Sequence, residues 1–356
     1  MPKPMRNAII AIFCFISSCE MSKKLPSYNP NIPFINGVDT LLNWTGNPIH
    51  KKMYQNHEFP MSKDFSDVWR WKSKKNPYEQ EKKQDTFRLP IAEDLTSLKE
   101  GKENGIYWLG HATFIIRVNG IQFITDPVFK KASVIKRWSK LPIEPSEIPP
   151  TSYLLMSHDH RDHCDKASLR KMIKFNPEMQ YFTGLNMTGI LKEFLKGAEG
   201  QEAGWYQQYK TEGFELYFLP TRHWAKRGLT DTNQRLWGSF ILKIGDLTIY
   251  FGGDSGYGSH YKDIAKLFPQ IDYAILGIGA YEPEWFMEDN HSSPSKSYQA
   301  FKDLNATYFI PMHYGTFDLS DEPIGKPQRE LEKIKSLTQD SGIIIPILGA
   351  NLIQKG

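Results

Sequence analysis

Residues 157–165 hold three histidines and three aspartates, and this cluster constrains the chain more than any other feature. They read Ser-His-Asp-His-Arg-Asp-His-Cys-Asp and directly follow the apolar run 153–156. Such a run predicts a strand that presents polar side chains at its C-terminal end. In the pattern H-x-H-x-D-H, His158 and His160 can bind one metal ion while Asp162 and His163 reach a second, since Zn²⁺ prefers imidazole and carboxylate ligands. A polar loop that is rich in histidine by chance is the alternative.

Three further candidate ligands lie downstream, each at the end of a strand-like run. His223 follows residues 214–218, Asp254 follows residues 246–251, and His313 closes residues 308–312. Short runs of β-branched and aromatic residues indicate strands. A single histidine at a strand end is usually only a polar surface residue, but several in succession favour a dinuclear metal site fed by several strands.

Hairpins and helices alternate along the rest of the chain. Residues 114–118 and 121–124 flank Asn119-Gly120, which is a strong hairpin signal, and a second hairpin is predicted for residues 237–244 and 247–251. Helices are predicted at 166–175, 184–195, 295–304 and 327–338, and a late strand at 342–348. Interspersed strands and helices are typical of two sheets packed face to face with helices outside.

The N-terminus has the pattern of an export signal. Lys3 and Arg6 precede the apolar residues 8–16, and Ser17-Ser18-Cys19 follow. The apolar run is shorter than the roughly 20 residues that span a bilayer. Residues 16–19 resemble a bacterial lipobox, so we expect an exported protein of the cell envelope that is anchored to a membrane by lipidation of Cys19. An ordinary signal peptide that is cut nearby and an uncut N-terminal anchor are the alternatives.

We therefore divide the 356 residues into a signal peptide at 1–18, a proline-rich tether and wrapping arm at 19–60, and one large domain at 61–356. The formal net charge of +4 gives no argument for nucleic-acid binding. Residues 61–90 mix tryptophans with lysines, which indicates either a surface for lipid head groups or, more often, packed aromatics beside solvated lysines. Cys164 would be the only thiol left after processing, and the oligomeric state stays open.

Several motifs together resemble the metallo-β-lactamase fold superfamily, over roughly residues 60–350. Asp126 in Phe-Ile-Thr-Asp-Pro, the histidine cluster, His223, Asp254 and His313 follow that family's order. Residues 107–114, 223–224, 236–240, 279–283 and 285–287 are similar to the branch that contains N-acyl-phosphatidylethanolamine-hydrolysing phospholipase D and its bacterial relatives. The resemblance implies an α+β fold, a four-layer αβ/βα sandwich with an N-terminal extension.

The same resemblance implies a role for each candidate side chain. His158, His160 and His223 would hold the first of two divalent ions, expected to be zinc. Asp162, His163 and His313 would hold the second, and Asp254 would bridge them and take part in catalysis. The family has a histidine near the scissile phosphate at the position of His291, which would make His291 catalytic; a surface or helix-capping histidine is the alternative. Asp126 and Asp165 are candidates to orient imidazole N–H groups, and His111 is a candidate to support the ligand loop. Four residues are candidates for a substrate groove, with packing in the core as the alternative: Tyr281, Glu282, Trp285 and Phe286.

The resulting hypothesis is a phosphodiesterase of the phospholipase D type that cleaves N-acyl-phosphatidylethanolamine-like lipids at a membrane. Two ions can together activate a water molecule, so that no serine or cysteine nucleophile is needed. One alternative is a lactonase or soluble phosphoester hydrolase with the same metals. The other is a metal-bound lipoprotein that binds lipid without turnover.

Overall fold

The computed structural model describes residues 24–58 and 65–354. The predicted signal segment and Cys19 lie outside these residues. Among the helices within them, none has the length and apolar character needed to cross a membrane.

Two six-stranded sheets form the centre of the described structure. The first contains β3 (Gly105–Gly110), β4 (Thr113–Val118), β5 (Ile121–Thr125), β8 (Tyr153–Met156), β9 (Gln180–Gly184) and β10 (Gly200–Ala203). The second contains β11 (Gln207–Gln208), β12 (Glu215–Leu219), β13 (Ser239–Ile244), β14 (Leu247–Phe251), β15 (Ile271–Gly277) and β16 (Ala306–Met312). The strand order is β10-β9-β8-β5-β4-β3 in the first sheet and β11-β12-β13-β14-β15-β16 in the second. Two small hairpins, β1 (Ile49–His50) with β2 (Met53–Tyr54) and β6 (Lys131–Ala132) with β7 (Ile135–Lys136), lie outside them.

Helices cover the outer face of each sheet. The helices of the described chain are α1 (Val38–Leu42), α2 (Phe65–Ser73), α3 (Glu79–Gln84), α4 (Thr96–Glu100), α5 (Lys166–Phe175), α6 (Thr188–Phe194), α7 (His260–Leu267), α8 (Glu284–Met287), α9 (Pro294–Asp303) and α10 (Lys326–Thr338). Helices α5 and α6 pack on the first sheet, and α7, α9 and α10 pack on the second. The order helix, sheet, sheet, helix confirms the predicted four-layer αβ/βα sandwich.

The central strands of the first sheet are buried on both faces, and most of their side chains are apolar. In β4, Phe114 and Ile116 point into the core between the sheets while Ile115 points to the helix layer. In β8, Leu155 faces the second sheet and Leu154 faces α5 and α6. Side chains alternate with a period of two along a strand, so one apolar run serves both interfaces.

The N-terminal arm, residues 24–58, packs on the same core as the sheets. Trp44 is buried against Trp205 and Tyr206, with ring centroids 6.1 and 5.0 Å away. Tyr54 is fully buried and donates its hydroxyl to Pro26 O at 2.9 Å. The described arm is therefore held to the body by side chains and not only by its chain connection.

Both predicted hairpins and the helices near 166, 295 and 327 occur where the sequence places them. The helix predicted at 184–195 is shorter, because Gly184 still belongs to β9 and pairs with Ala203. The late strand predicted at 342–348 is wrong: only Ile343 and Leu348 form isolated bridges. Pro346 has no N–H to donate, and proline interrupts a strand for that reason.

Candidate metal centre

All seven predicted ligands gather at one end of the sandwich, because each follows the C-terminal end of a strand. The histidine cluster follows β8 of the first sheet. His223, Asp254 and His313 follow β12, β14 and β16 of the second sheet. Of the groups of donor atoms that could hold a metal ion, two together contain all seven ligands, and within each group the donor atoms lie within 4.8 Å of one another.

The first group joins three imidazoles. His158 Nε2 lies 2.9 Å from His160 Nδ1, and His223 Nε2 lies 3.1 Å from the same nitrogen. The Oδ2 atom of Asp254 lies 3.9 Å from His158 Nε2 and 3.8 Å from His223 Nε2. Three ring nitrogens and a carboxylate oxygen converging in this way suit the tetrahedral preference of zinc.

The second group comprises His111, Asp162, His163 and His313, and the same oxygen of Asp254 lies beside it. That Oδ2 lies 3.0 Å from His163 Nε2 and 3.2 Å from His313 Nε2. Asp162 Oδ2 lies 3.7 Å from His163 Nε2 and 3.5 Å from His313 Nε2. His111 Nε2, at 3.1 Å from Asp162 Oδ2, also belongs to this group.

Asp254 is the central anion, and its surroundings fit a cation. It is almost fully buried, and neither carboxylate oxygen has a hydrogen-bond partner within the described residues. Burial raises the pKa of Asp254, but His163 and His313 outweigh this and hold it well below its usual range. Burial likewise lowers the pKa of His313, yet Asp254 and Asp162 raise it to about 9. A buried carboxylate without a hydrogen bond is costly unless positive charge faces it.

Asp126 orients two of the imidazoles. Its Oδ2 accepts a hydrogen bond from His163 Nδ1 at 2.7 Å and another from the Ser157 hydroxyl. Ser157 Oγ in turn lies 2.8 Å from His158 Nδ1, and its backbone N–H donates to Asp126 Oδ1 at 2.8 Å. These contacts turn Nε2 of both rings toward the ligand cluster. The predicted role of Asp126 thus has a geometric basis, and Ser157 joins it although sequence reasoning did not single it out.

His223 is held from two other parts of the chain. Its Nδ1 donates to Asn290 O at 3.0 Å, and its backbone N–H donates to Asn56 Oδ1 at 3.1 Å. Asn56 comes from the N-terminal arm, so the arm reaches the metal centre directly. Sequence reasoning missed both contacts, and no local pattern around Asn56 or Asn290 would have indicated them.

At two positions beside the ligands, another backbone segment approaches so closely that only glycine fits. Gly253 precedes Asp254 at φ +55°, and a Cβ there would lie 2.9 Å from Gly238 O. A Cβ at Gly279 would lie 2.2 Å from His313 O. His111, Asp126 and His313 themselves adopt positive φ of 56°, 32° and 63°. Such conformations are unfavourable for residues with a side chain and concentrate at functional sites.

Asp165 is placed differently from the prediction. Its Oδ2 accepts hydrogen bonds from Ser168 N at 2.8 Å and Ser168 Oγ at 2.7 Å, which caps the N-terminus of α5. Within the described chain its carboxylate has no contact with an imidazole. The next residue after the motif starts a helix, and an aspartate there is a favoured cap. Neighbouring Cys164 is fully buried, and burial raises the pKa of its thiol to about 12.

His291 borders both the ligand cluster and a small cavity. Its Nδ1 lies 3.8 Å from Asp254 Oδ2, and its ring centroid lies 5.1 Å from that of His313. The cavity has a volume of about 110 Å³. Its wall contains two basic residues, Arg222 and Lys296, and two acidic ones, Glu284 and Glu288, together with Tyr257, Tyr281, His291, Ser292 and Ser293.

Of the four predicted groove residues, Tyr281 lines this cavity and donates its hydroxyl to Glu330 Oε2 at 2.7 Å. The other three side chains point toward the N-terminal helices and α10. Glu282 Oε1 accepts from Tyr78 at 2.8 Å, Trp285 lies under the Arg70 guanidinium at 4.7 Å, and Phe286 packs on Trp71 at 5.1 Å.

Comparison with known proteins agrees with this geometry. Residues 122–314 match the family model described as a Beta-lactamase superfamily domain. The chain is 30% identical to N-acyl-phosphatidylethanolamine-hydrolyzing phospholipase D 1 of Caenorhabditis elegans, over 71% of this chain and 76% of that protein. It is also 30% identical to a mitochondrial N-acyl-phosphatidylethanolamine-hydrolyzing phospholipase D of Saccharomyces cerevisiae, over 70% of this chain and 55% of that protein.

A solved structure shares the fold. Isothiocyanate hydrolase from Delia radicum gut bacteria superposes with a TM-score of 0.57 at 16% identity, over 70% of this chain and 98% of that one. At this identity the likeness concerns the fold alone. The family match, the two relatives and the clustered ligands lead to one conclusion: the chain belongs to the metallo-β-lactamase superfamily, as a metal-dependent hydrolase related to N-acyl-phosphatidylethanolamine-hydrolysing phospholipases D.

Proposed function

We propose that the protein is a dinuclear zinc phosphodiesterase that cleaves N-acyl-phosphatidylethanolamine-type phospholipids and releases phosphatidic acid and an N-acylethanolamine. One observation carries the proposal: the single oxygen Asp254 Oδ2 lies within 3.9 Å of two imidazole nitrogens in each of the two ligand groups. Two ions about 3.5–4 Å apart are the usual arrangement for cleaving phosphoesters. The names of the two relatives supply the lipid class.

Divalent ions bound in the two groups would activate water and neutralise charge on the phosphoryl oxygens. The side chains of the protein supply orientation. Asp126 binds Nδ1 of His163 and Asn290 O binds Nδ1 of His223, so Nε2 of each ring faces the ligand cluster. His291 can donate a hydrogen bond to a phosphoryl or leaving-group oxygen, because its ring borders both the cluster and the cavity.

The cavity beside His291 suits a head group better than a whole lipid. Its volume of about 110 Å³ is below the roughly 300 Å³ at which pockets for drug-sized ligands begin. Arg222 and Lys296 line it and can bind a phosphate, but Glu284 and Glu288 line it too, so the cavity wall has no excess of positive charge. We infer that the acyl chains of the substrate stay outside the cavity during cleavage.

A lactonase or a hydrolase of soluble phosphoesters is the second candidate, since the same ligands serve both chemistries and the small cavity would admit a compact substrate. A lipid-binding protein without turnover is the third. We further propose export and acylation of Cys19 at the cell envelope, which would keep the enzyme near a lipid substrate.

Product release from N-acyl-phosphatidylethanolamine tests the proposal. Both products should appear by mass spectrometry from the full chain, vanish with a chelator and return with zinc. His160→Ala removes a ligand and should abolish release, whereas His50→Ala, at an exposed position in β1, should leave it unchanged. Two bound metals without release of either product would reject the lipid and favour the second candidate. Release that persists in His160→Ala would reject catalysis by the metals.

A further inference from the structure

The segment between β5 and the histidine cluster carries a concentrated positive charge. Residues 127–143, which we call the basic hairpin, contain five basic residues and no acidic one. Lys130, Lys131, Lys136 and Lys140 are exposed, and within the described chain none of them forms an ion pair. Lys131 and Lys136 are directly opposite in the β6–β7 ladder. Like charges in such cross-strand pairs repel, and an anionic partner would relieve the repulsion.

The basic hairpin also presents an apolar tip. Val134 at its turn is 85% exposed, and Trp138 near its base is partly exposed. The half-buried Arg137 fixes this base: it donates to Val128 O at 2.9 Å, to Ser139 O at 3.0 Å, and to Leu109 O. The tip is therefore held out from the body by a rigid base.

The basic hairpin lies beside the metal centre. It begins directly after Asp126, and Trp138 N donates to Thr316 O at 2.7 Å. Its Val128 and Ala132 pack with Phe317. The Phe317 ring lies 5.0 Å from that of His111, which contacts the ligand Asp162.

Two more exposed apolar side chains, each beside basic residues, lie around the same centre. Trp69 on α2 is 69% exposed and is followed by Arg70. A hydrogen bond of 2.9 Å from Trp71 Nε1 to Asp321 Oδ2 connects α2 to the loop after His313. Leu229 is 94% exposed. It follows Arg227, whose guanidinium donates to Asp159 O at 2.9 Å and to Cys164 O at 2.8 Å within the ligand loop.

We propose that these three elements form a docking surface for an anionic phospholipid bilayer, with Val134, Trp69 and Leu229 entering the interface and the lysines at the head groups. The choice of a lipid as partner rests on the proposed function. The mixture of apolar tips and cations matches a bilayer surface, which offers both hydrocarbon and negative charge. A nucleic-acid backbone would match only the cations. Docking in this orientation would present a head group to the cavity at His291 while its acyl chains remain in the bilayer.

Co-sedimentation with vesicles tests this surface independently of turnover. The full chain would carry Cys19→Ser in every sample, so that no acyl chain contributes. Binding should be strong to phosphatidylcholine vesicles with about a third phosphatidylglycerol, weak to pure phosphatidylcholine, and reduced by salt. Lys131→Gln with Lys136→Gln should weaken binding by about 25-fold, at roughly fivefold per lysine. Val134→Asp should weaken it further.

Matched controls keep the charge and polarity changes but move them away from the centre. The charge control is Lys174→Gln on α5 combined with Lys333→Gln on α10. The polarity control is Leu337→Asp on α10, at a side chain that is 74% exposed. Both control variants should bind vesicles like the parent. The proposal would be overturned if the control variants lost as much vesicle binding as the hairpin variants. It would also be overturned if the parent protein bound duplex DNA as tightly as anionic vesicles. The hairpin variants should lose turnover on vesicles yet keep it on a short-chain dispersed substrate. Failure of all turnover with intact vesicle binding would instead reject the proposed function alone.

Discussion

Replacing Asp126 by asparagine should weaken metal binding without touching a ligand. The carboxylate accepts from His163 Nδ1 and the Ser157 hydroxyl through Oδ2, and from Ser157 N through Oδ1. An amide has only one acceptor oxygen. Whichever way the amide is turned, one buried N–H loses its acceptor: that of His163, or that of Ser157.

The magnitude follows from that single loss. A hydrogen bond to a charged group contributes about 1.5–3 kcal/mol, which corresponds to a factor of roughly ten to 150 in an equilibrium constant. Loss of a residue that orients a metal ligand typically lowers metal affinity by about 10–100-fold. We therefore expect Asp126→Asn to bind zinc about 10–100-fold more weakly, with a lower thermal unfolding midpoint in the presence of zinc.

Competition with a chromophoric chelator would measure the affinity, and Asp165→Asn provides the control. Asp165 is a carboxylate of the same ligand segment, but it caps α5 through Ser168. Asparagine caps a helix about as well as aspartate, so this variant should keep the zinc affinity. Parental affinity in Asp126→Asn, or an equal loss in both variants, would refute the argument that Asp126 acts by orienting the imidazoles.

Three other outcomes can be measured on the same protein. Asn56→Ala should lower the thermal midpoint and weaken zinc binding several-fold, because the buried N–H of His223 loses its acceptor at a cost of about 1–3 kcal/mol; an unchanged affinity would separate the arm from the metal centre. Cys164 should resist iodoacetamide at pH 8 in the folded protein and react after unfolding, since burial raises the pKa of its thiol to about 12. Peptide mass spectrometry would detect the adduct, and labelling of the folded chain would contradict this prediction. Burial, with Arg222 and His57, lowers the pKa of His260 to about 3, so only the unfolded chain takes up this proton below about pH 6.5. That uptake removes about 2 kcal/mol of stability by pH 5, and His260→Gln should therefore lose less of its urea midpoint between pH 7 and pH 5 than the parent does.

The fold and the ligands were predictable because their signals are local. One segment after β8 contains four of the seven ligands at a fixed spacing, and the others each follow an apolar run that becomes β12, β14 or β16. Hairpin turns and helix patterns are likewise short-range properties of the chain. The helix boundary that was predicted wrongly depends on a long-range contact, since Gly184 remains in β9 because it pairs with β10.

The parts that sequence reasoning missed arise from contacts between distant segments. Asn56 reaches His223 from the arm, and the Asn290 carbonyl reaches it from the loop before α9. The spacing of Glu282, Trp285 and Phe286 could not reveal that they face the N-terminal helices and α10. The pairing of Lys131 with Lys136 could not be predicted either, because four residues separate them in the sequence and they come together only across the β6–β7 ladder.

The division of the ligands between the two sheets has a consequence for how the protein matures. The first sheet supplies the histidine cluster early in the chain, and β16, close to the C-terminus, supplies His313 last. A growing or partly translocated chain can therefore offer ions only an incomplete set of ligands. The complete set of candidate ligands comes together once β16 has joined the second sheet, so an ion can meet all of them only in the compartment where folding ends.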